Sequence, residues 1–324
     1  MPSIDVSAVI VSFNTRALLE RCLDSLPAAA APFSCEAIVV DNGSDDGSIA
    51  MIRERFPHVQ LVERPDNPGF ARSTNLGLER ACGRVRVWLN PDCLPSPGSL
   101  ALLVEHLDLH PETGAVGPRL LYPDGRVQPS AQRFPNASLV FYRFLGLGRV
   151  ARGRLFGWLW RAVGRSASAT ARAYFESIEQ AGPARSVDWI TGACLATRAE
   201  DCRRIGPLDE GYFMYCEDAD WCQRVHTAGL QVHYLPQAIV VHHVGASGAT
   251  NPLIAYHSYR SLLRYFLRYR PAQFGPLRVL MLFAFGLRGA GNELARLSGR
   301  PATHPWWKLA ALCWSPRALE ERGA

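Results

Sequence analysis

The chain has 324 residues, of which 48% are hydrophobic and 20% charged, enough to bury a sizeable core in one large domain with an appendage or in two modest domains. The formal net charge is +6, but nine arginines lie between Arg126 and Arg172 without an acid among them, and eight more lie between Arg260 and Arg300 against Glu293 alone. The rest of the chain is therefore net acidic, and two basic segments on an acidic body predict an anionic surface or a phosphorylated partner, while the absence of a recognised motif argues against nucleic acid.

Taken in order, Ser7 to Phe13 is a β-branched run that predicts a strand ending at Asn14, and Leu18, Leu19, Cys22, Leu23 and Leu26 follow at helical steps with Thr15 as the N-cap. Ala37–Val40 predicts a second strand ending at Asp41-Asn42-Gly43-Ser44, with Asp45 or Asp46 capping a helix up to Phe56. Val59 to Val62 reads as a third strand, and Asn67-Pro68-Gly69-Phe70 opens a helix to about Cys82. Val85–Leu89 is the fourth strand, closed by Asn90-Pro91-Asp92. This alternation predicts right-handed crossovers and a parallel sheet with helices on both faces. Asn14, Asp41 and Asp92 then stand at the carboxyl ends of strands, where such sheets bind ligands.

A helix is expected from about Gly98 to Leu109, then short strands at 116–118 and 119–121 and a turn at Pro123-Asp124-Gly125. The basic stretch of about 123–185 reads as a mobile excursion over the active-site face. Regular structure resumes with strands at 187–190 and 193–196, a helix to Ile205, a helix opened by Glu217-Asp218-Ala219-Asp220, and strands at 231–235 and 238–241 that lead into His242 and His243. Beyond residue 250, Tyr259, Leu262, Leu263, Phe266 and Leu267 share a helical face beside the row Arg260, Arg264 and Arg268. Pro271 and Pro276 are expected to break the chain before a short apolar helix, Leu277 to Ala290, and with Trp306, Trp307 and Trp314 this region suits a membrane interface.

Nine cysteines without paired metal spacing read as buried thiols in a reducing compartment. The N-terminus moves directly into a strand pattern, and no apolar stretch reaches the roughly 20 uncharged residues of a membrane span. The expected location is cytoplasmic, peripheral on the inner face of the cytoplasmic membrane.

The pieces Val11-Ser12-Phe13-Asn14, Val40-Asp41-Asn42-Gly43-Ser44, Asn67-Pro68-Gly69-Phe70-Ala71 with Asn75, Leu89-Asn90-Pro91-Asp92, Thr191-Gly192-Ala193, Glu217-Asp218-Ala219-Asp220 and His242 with Gly245 and Ser247 occur in an order that resembles family 2 glycosyltransferases. Within that family the chain resembles the bacterial rhamnosyltransferase-like branch. The resemblance runs over roughly residues 6 to 247. It implies an α/β GT-A fold, with a Rossmann-like, mostly parallel central sheet and flanking helices, in residues 1–250. A C-terminal helical appendage occupies 251–324.

By this resemblance Asp41 holds the nucleobase or ribose with Ser12 and Asn14 on the same edge, Asn67, Arg72 and Asn75 complete the nucleotide wall, and Asp92 binds the Mg²⁺ or Mn²⁺ that bridges the diphosphate. The sequence departs from the family's Asp-x-Asp motif, since Asn90 replaces the first acid and is expected to touch the ribose or a water. His242 closes the metal site, with His243 a rival ligand. Asp218 is the expected general base: it opens a helix, near the positive end of its dipole, and lies among acids that raise its pKa. Glu217 and Asp220 then bind the acceptor or support the loop, with Trp189 and Gly192 in the acceptor wall. The implied reaction is inverting transfer from a nucleoside diphosphate sugar, dTDP-L-rhamnose, to a cell-envelope glycan or a polyprenyl-diphosphate-linked acceptor. Alternatives are a UDP-sugar-dependent galactofuranosyl- or hexosyltransferase and a non-catalytic carbohydrate-binding protein. A dinucleotide-dependent oxidoreductase is disfavoured, because Ser12-Phe13-Asn14-Thr15-Arg16 stands where Gly-x-Gly-x-x-Gly is required.

Overall fold

The computed structural model describes residues 4–138, 140, 183–244, 252–297, 306–315 and 319. Most of the expected excursion, together with Gly245 and Ser247, lies outside the described residues. The chain divides into two compact units, one of Met1–Gln132 with Gln180–Thr250 and Arg322–Ala324, the other of Arg133–Glu179 with Asn251–Glu321.

The first unit opens with β1 (Val6–Ser12), α1 (Arg16–Ala30), β2 (Cys35–Asp41), α2 (Ser48–Arg55), β3 (Gln60–Glu63), α3 (Phe70–Leu78) and β4 (Val85–Leu89). It continues through β5 (Cys93–Pro95), α4 (Ser99–Leu109), β6 (Thr113–Leu121), β7 (Val127–Gln128) and β8 (Ala131–Gln132). After the undescribed segment come β9 (Arg185–Val187), β10 (Trp189–Ile190), β11 (Cys194–Arg198), α5 (Ala199–Ile205), α6 (Glu217–Thr227) and β12 (Gln231–His242).

Every position of β1 is buried, Ser7 and Ser12 included, as expected of a strand covered on both faces. Leu19, Leu23 and Leu26 of α1 and Leu100, Leu103 and Leu107 of α4 share one core with Ile10, Val39 and Val87. Trp88 of β4 meets Trp221 of α6 edge to face, with ring centroids 4.9 Å apart, a geometry worth about 0.5–1.5 kcal/mol beyond the buried area. That contact seats α6, and with it the acidic cluster, on the sheet.

The main sheet runs in the order β3-β2-β1-β4-β11-β6-β12-β5. β1, β2, β3 and β4 are mutually parallel, as are β6 and β12, but β11 is antiparallel to both its neighbours. Because β11 runs backwards, its entrance lies at the carboxyl end of β4, and the Asn90 N–H donates to Ala193 O there at 2.9 Å. Two pairs of expected short strands are in fact single strands, β6 and β12. A register shift between Leu235 and Ile239 carries β12 past Pro236, which has no N–H for the ladder.

Thr15 stands at the N-cap of α1 without a side-chain cap, and Gly47 is the N-cap of α2. Asp46 serves both helices instead: its Oδ2 accepts the Arg16 N–H at 2.8 Å and its Oδ1 the Ser48 N–H at 3.0 Å. All nine cysteines are free, and Cys82 is exposed, contrary to the expectation of buried thiols throughout.

The second unit contains α7 (Pro252–Tyr269), α8 (Pro271–Leu297) and α9 (Trp306–Trp314). Pro276 does not break the chain but lies within α8. Phe274, Leu277, Met281 and Phe285 are buried along α8, and at roughly 1.5–3 kcal/mol each they offset the cost of about 3 kcal/mol of an internal proline. Arg260 of the expected basic row is buried as well. No helix of the described residues is long and apolar enough to cross a membrane.

Candidate active site

The parallel register sets Ser12 beside Asp41, so the ends of β1 and β2 form one edge. Asp41 is fully buried. Its Oδ1 accepts the Gly43 and Ser44 N–H groups at 3.1 and 2.8 Å, and its Oδ2 accepts the Ser44 hydroxyl at 2.7 Å. Three of about four acceptor positions of the carboxylate are therefore taken. Asn14, at φ 51°, donates its N–H to Ser44 Oγ at 2.9 Å and accepts the Asp45 N–H on Oδ1 at 2.9 Å. Asn42 donates to Asn67 Oδ1 at 3.2 Å and accepts the Ser73 hydroxyl at 2.6 Å, joining this turn to α3. Arg72 lies 3.7 Å from Glu210, in a cleft shared with Arg64 and Ser73. Asn75, expected in the nucleotide wall, braces the backbone of Leu208 instead, donating to its O at 2.9 Å and accepting its N–H at 2.8 Å.

The next station forms where β5 pairs antiparallel with β12, which sets Cys93 opposite His242. The His243 N–H donates to Asp92 O at 2.9 Å. Asp92 and His242 are both buried, and His242 Nε2 lies 3.2 Å from Asp92 Oδ1. Behind the ring, His242 Nδ1 is 3.1 Å from Gln128 Oε1, an acceptor that holds the ring with Nε2 turned toward the carboxylate. A carboxylate oxygen and an imidazole nitrogen this close either share a proton on Nε2 or offer two ligand atoms to a cation. Cys93 Sγ completes the one cluster of three possible ligands among the described residues. Burial pushes its thiol well above the ordinary range, and it donates to Ala193 O at 3.2 Å, so it belongs to the core. His243 is not in that cluster.

Asp218, at the start of α6, accepts the Gly192 N–H on Oδ2 at 2.7 Å and the Ala219 N–H on Oδ1 at 2.8 Å. Burial pushes its carboxyl up to about 6, against the lowering effect of these backbone donors. Glu217 beside it is raised well above the carboxylate range, first by burial and then by the Asp218 charge, and its buried Oε2 has no hydrogen-bond partner. The two carboxyls titrate as a pair, and burial with their mutual repulsion raises both above the ordinary carboxylate range. Asp220, expected to bind the acceptor or support the loop, is fully buried and paired with Arg224 at 3.1 Å. Arg224 in turn donates to Ile205 O and Pro207 O at 3.0 and 2.7 Å, so Asp220 fixes α6 to the loop after α5.

A family model described as "Glycosyl transferase family 2" matches residues 7–176, more than half of the chain. The chain belongs to glycosyl transferase family 2. The N-acetylglucosaminyl-diphospho-decaprenol L-rhamnosyltransferase of Mycobacterium tuberculosis is 33% identical over 264 residues, which is 77% of this chain and 80% of that protein. Rhamnosyltransferase WbbL of Escherichia coli is 44% identical over 57 residues, 18% of this chain and 22% of that one. In fold, a mannosyltransferase from Pyrobaculum calidifontis, solved with GDP-Man and Mn²⁺, aligns over 97% of this chain and 85% of its own with TM-score 0.54 at 17% identity. GalNAc-T7, solved with UDP, GalNAc and Mn²⁺, aligns over 82% of this chain with TM-score 0.54 at 13% identity, and this chain spans 48% of it. The mixed sheet is that of the GT-A fold.

In this family 2 glycosyltransferase, Trp189 is half-buried on β10, which pairs with β8 at Gln132. His226 Nε2 of α6 lies 2.9 Å from Asp188 O just before it. Asn90 is half-buried, held through its N–H by Ala193. Sequence reasoning missed two residues here. Gln128 lies on a two-residue strand with no periodic signal. Tyr215, 44% exposed, shares positive φ with Cys216, at 68° and 64°, a strained backbone for non-glycine residues. Burial raises its hydroxyl, and the charges of Glu217 and Asp92 add to the effect, so the phenol lies within electrostatic reach of both stations. An aromatic two places before an acidic pair was the available signal.

Proposed function

We propose that this glycosyltransferase transfers L-rhamnose with inversion from dTDP-L-rhamnose to a hydroxyl of a cell-envelope glycan carried on polyprenyl diphosphate. The observation that carries the catalytic part is Asp218, a buried carboxylate raised to about 6 and bonded to Gly192, which enters β11 at the carboxyl end of β4. The transferred sugar and the lipid-linked acceptor are supported by the name of the mycobacterial relative, and dTDP as its carrier by the resemblance of the sequence to rhamnosyltransferases.

In this reading Asp218 takes the proton of the acceptor hydroxyl as that oxygen bonds to the anomeric carbon. The bond from that carbon to the diphosphate oxygen breaks on the opposite face, and dTDP leaves with the electron pair. Mg²⁺ or Mn²⁺, held by Asp92 and His242, would supply neutralising charge to the leaving diphosphate. Ser12, Asn14, Asp41, Asn67, Arg72 and Asn90 bind the nucleotide, and Trp189, Gly192 and Glu217 face the acceptor. Asn75 and Asp220 are positioning residues behind these two walls. A polyprenyl carrier would keep the acceptor at the inner face of the cytoplasmic membrane, where the enzyme then works.

A thermal-shift screen of nucleotide sugars with Mn²⁺ tests the donor. dTDP-L-rhamnose is expected to stabilise the fold by about 2.7 kcal/mol at a hundredfold excess over Kd. Stabilisation by a UDP-sugar and not by dTDP-L-rhamnose would overturn it.

A further inference from the structure

α8 is apolar on two opposite sides. Phe274, Leu277, Met281 and Phe285 form its buried side. At 3.6 residues per turn the other side is an arc through Ala272, Pro276, Val279, Phe283, Leu287 and Ala290, with no charged residue on it. Val279, Phe283 and Leu287 are 62%, 68% and 60% exposed. At 1.5 Å per residue the arc is about 27 Å long, and an exposed apolar strip of that length marks an interaction surface. On α9, Trp307 lies against Gly289, where an added Cβ would be 2.8 Å from its ring, yet the indole stays 53% exposed, and Trp314 is 78% exposed.

We propose that this outer face of α8, with Trp307 and Trp314, docks on an anionic lipid bilayer with the helix in the plane of the interface. Exposed tryptophans seven residues apart on one face of α9 and an apolar arc on α8 match the boundary between headgroups and acyl chains. Charge selects the occupant: the described residues of α7, α8, α9 and the link after α7 carry eight bases against Glu293 as the single acid, and Arg268, Arg288 and Lys308 are exposed. A second copy of the chain would bring the same basic surface against itself, whereas an anionic leaflet complements it. The sequence pattern points to α7 for this role, but Leu263, Tyr265, Phe266 and even Arg260 are buried. For its purpose the surface rests on the lipid-linked acceptor proposed above, and its test needs neither donor nor acceptor.

The test is co-sedimentation of the full chain with phosphatidylcholine vesicles, with and without an equal part of phosphatidylglycerol. Binding is expected to the mixed vesicles, to weaken as salt rises, and to shift tryptophan emission to the blue. Phe283→Ser with Leu287→Ser should lower binding at least tenfold while leaving the melting temperature and sugar transfer to a water-soluble acceptor unchanged. Wild-type chain that stays in the supernatant, or a double variant that binds as well as wild type, overturns the proposal. A variant that turns a dimer into a monomer without losing vesicle binding also overturns it, assigning the face to a second copy. Loss of transfer with retained vesicle binding counts against the catalytic reading alone.

Discussion

The backbone N–H of Gly192 donates to Asp218 Oδ2 at 2.7 Å, and the next residue, Ala193, accepts the Asn90 N–H at 2.9 Å. Two hydrogen bonds thus connect the proposed base to the strand end that carries Asp92. Asp218 must be ionised to accept a proton, and burial holds its carboxyl at about 6. Transfer, read as kcat/KM from acid to neutral pH, should therefore fall about tenfold per unit below that value and level off above it. Asp218→Asn should lower it by about 10²–10⁴-fold, and a variant that keeps its activity removes Asp218 from the role of base.

Glu217 predicts a stability effect of the opposite pH sense. Its carboxyl is raised well above the usual range by burial and by Asp218, so the folded chain binds this proton more tightly than the unfolded chain. That contribution is complete below the unfolded value and is lost as pH rises through the folded one. Burial and the neighbouring Asp218 charge thus make Glu217 one source of stability that is lost toward alkaline pH, beside the buried thiols, which are raised by burial as well. Glu217→Gln cannot ionise. Its melting temperature should decline less toward alkaline pH than that of the wild type, since the buried thiols contribute equally to both, and equal slopes in paired melts would exclude this account.

Gln128 should act on metal affinity more than on turnover. Its Oε1 is the only described partner of His242 Nδ1, at 3.1 Å, and such partners fix the ring that presents the other nitrogen. Gln128→Ala is expected to weaken Mn²⁺ binding by about 10–100-fold, measured by the electron paramagnetic resonance of free Mn²⁺, with kcat at saturating metal largely kept. An unchanged Mn²⁺ isotherm would show that the ring needs no such support.

How far the sequence carried depends on the range of the interaction that sets each feature. β1, β2, β4 and the helices between them were legible because each is a local apolar period closed by a polar residue. Asp41, Asp92 and Asp218 stood out for the same reason, with the family resemblance ordering them. Features set by pairing across the chain were hidden. Gln128 is 114 residues from His242, and the antiparallel insertion of β11 depends on a neighbour choice that no local pattern records. Pro118 and Pro236 made β6 and β12 look interrupted, and Pro276 did the same for α8. In each case tertiary packing carries the element past the proline. The acids of α6 divided by surroundings and not by type: Asp220 found Arg224, Asp218 found two backbone donors, and Glu217 Oε2 found none.

The loop that leads to those acids rests on Gly69. This residue has φ 93°, and a Cβ there would lie 2.5 Å from Phe213 O and 2.8 Å from its ring. The adjacent Phe70 N–H donates to the same carbonyl at 2.6 Å. Gly69→Ala must therefore push residues 213–216 away, and these precede Glu217 and Asp218 directly. Gly125 provides the comparison, since it also has positive φ, 81°, but a Cβ there would meet nothing within 4 Å. Gly125→Ala should incur only the backbone cost of about 1–2 kcal/mol and leave transfer unchanged. Gly69→Ala should add an overpacking cost of about 1–3 kcal/mol and lower kcat/KM at temperatures where the variant remains folded. Denaturant melts of the two variants beside their kinetics decide it: if they lose the same stability and neither loses activity, the approach of Phe213 to Gly69 does not set the geometry of the acidic pair.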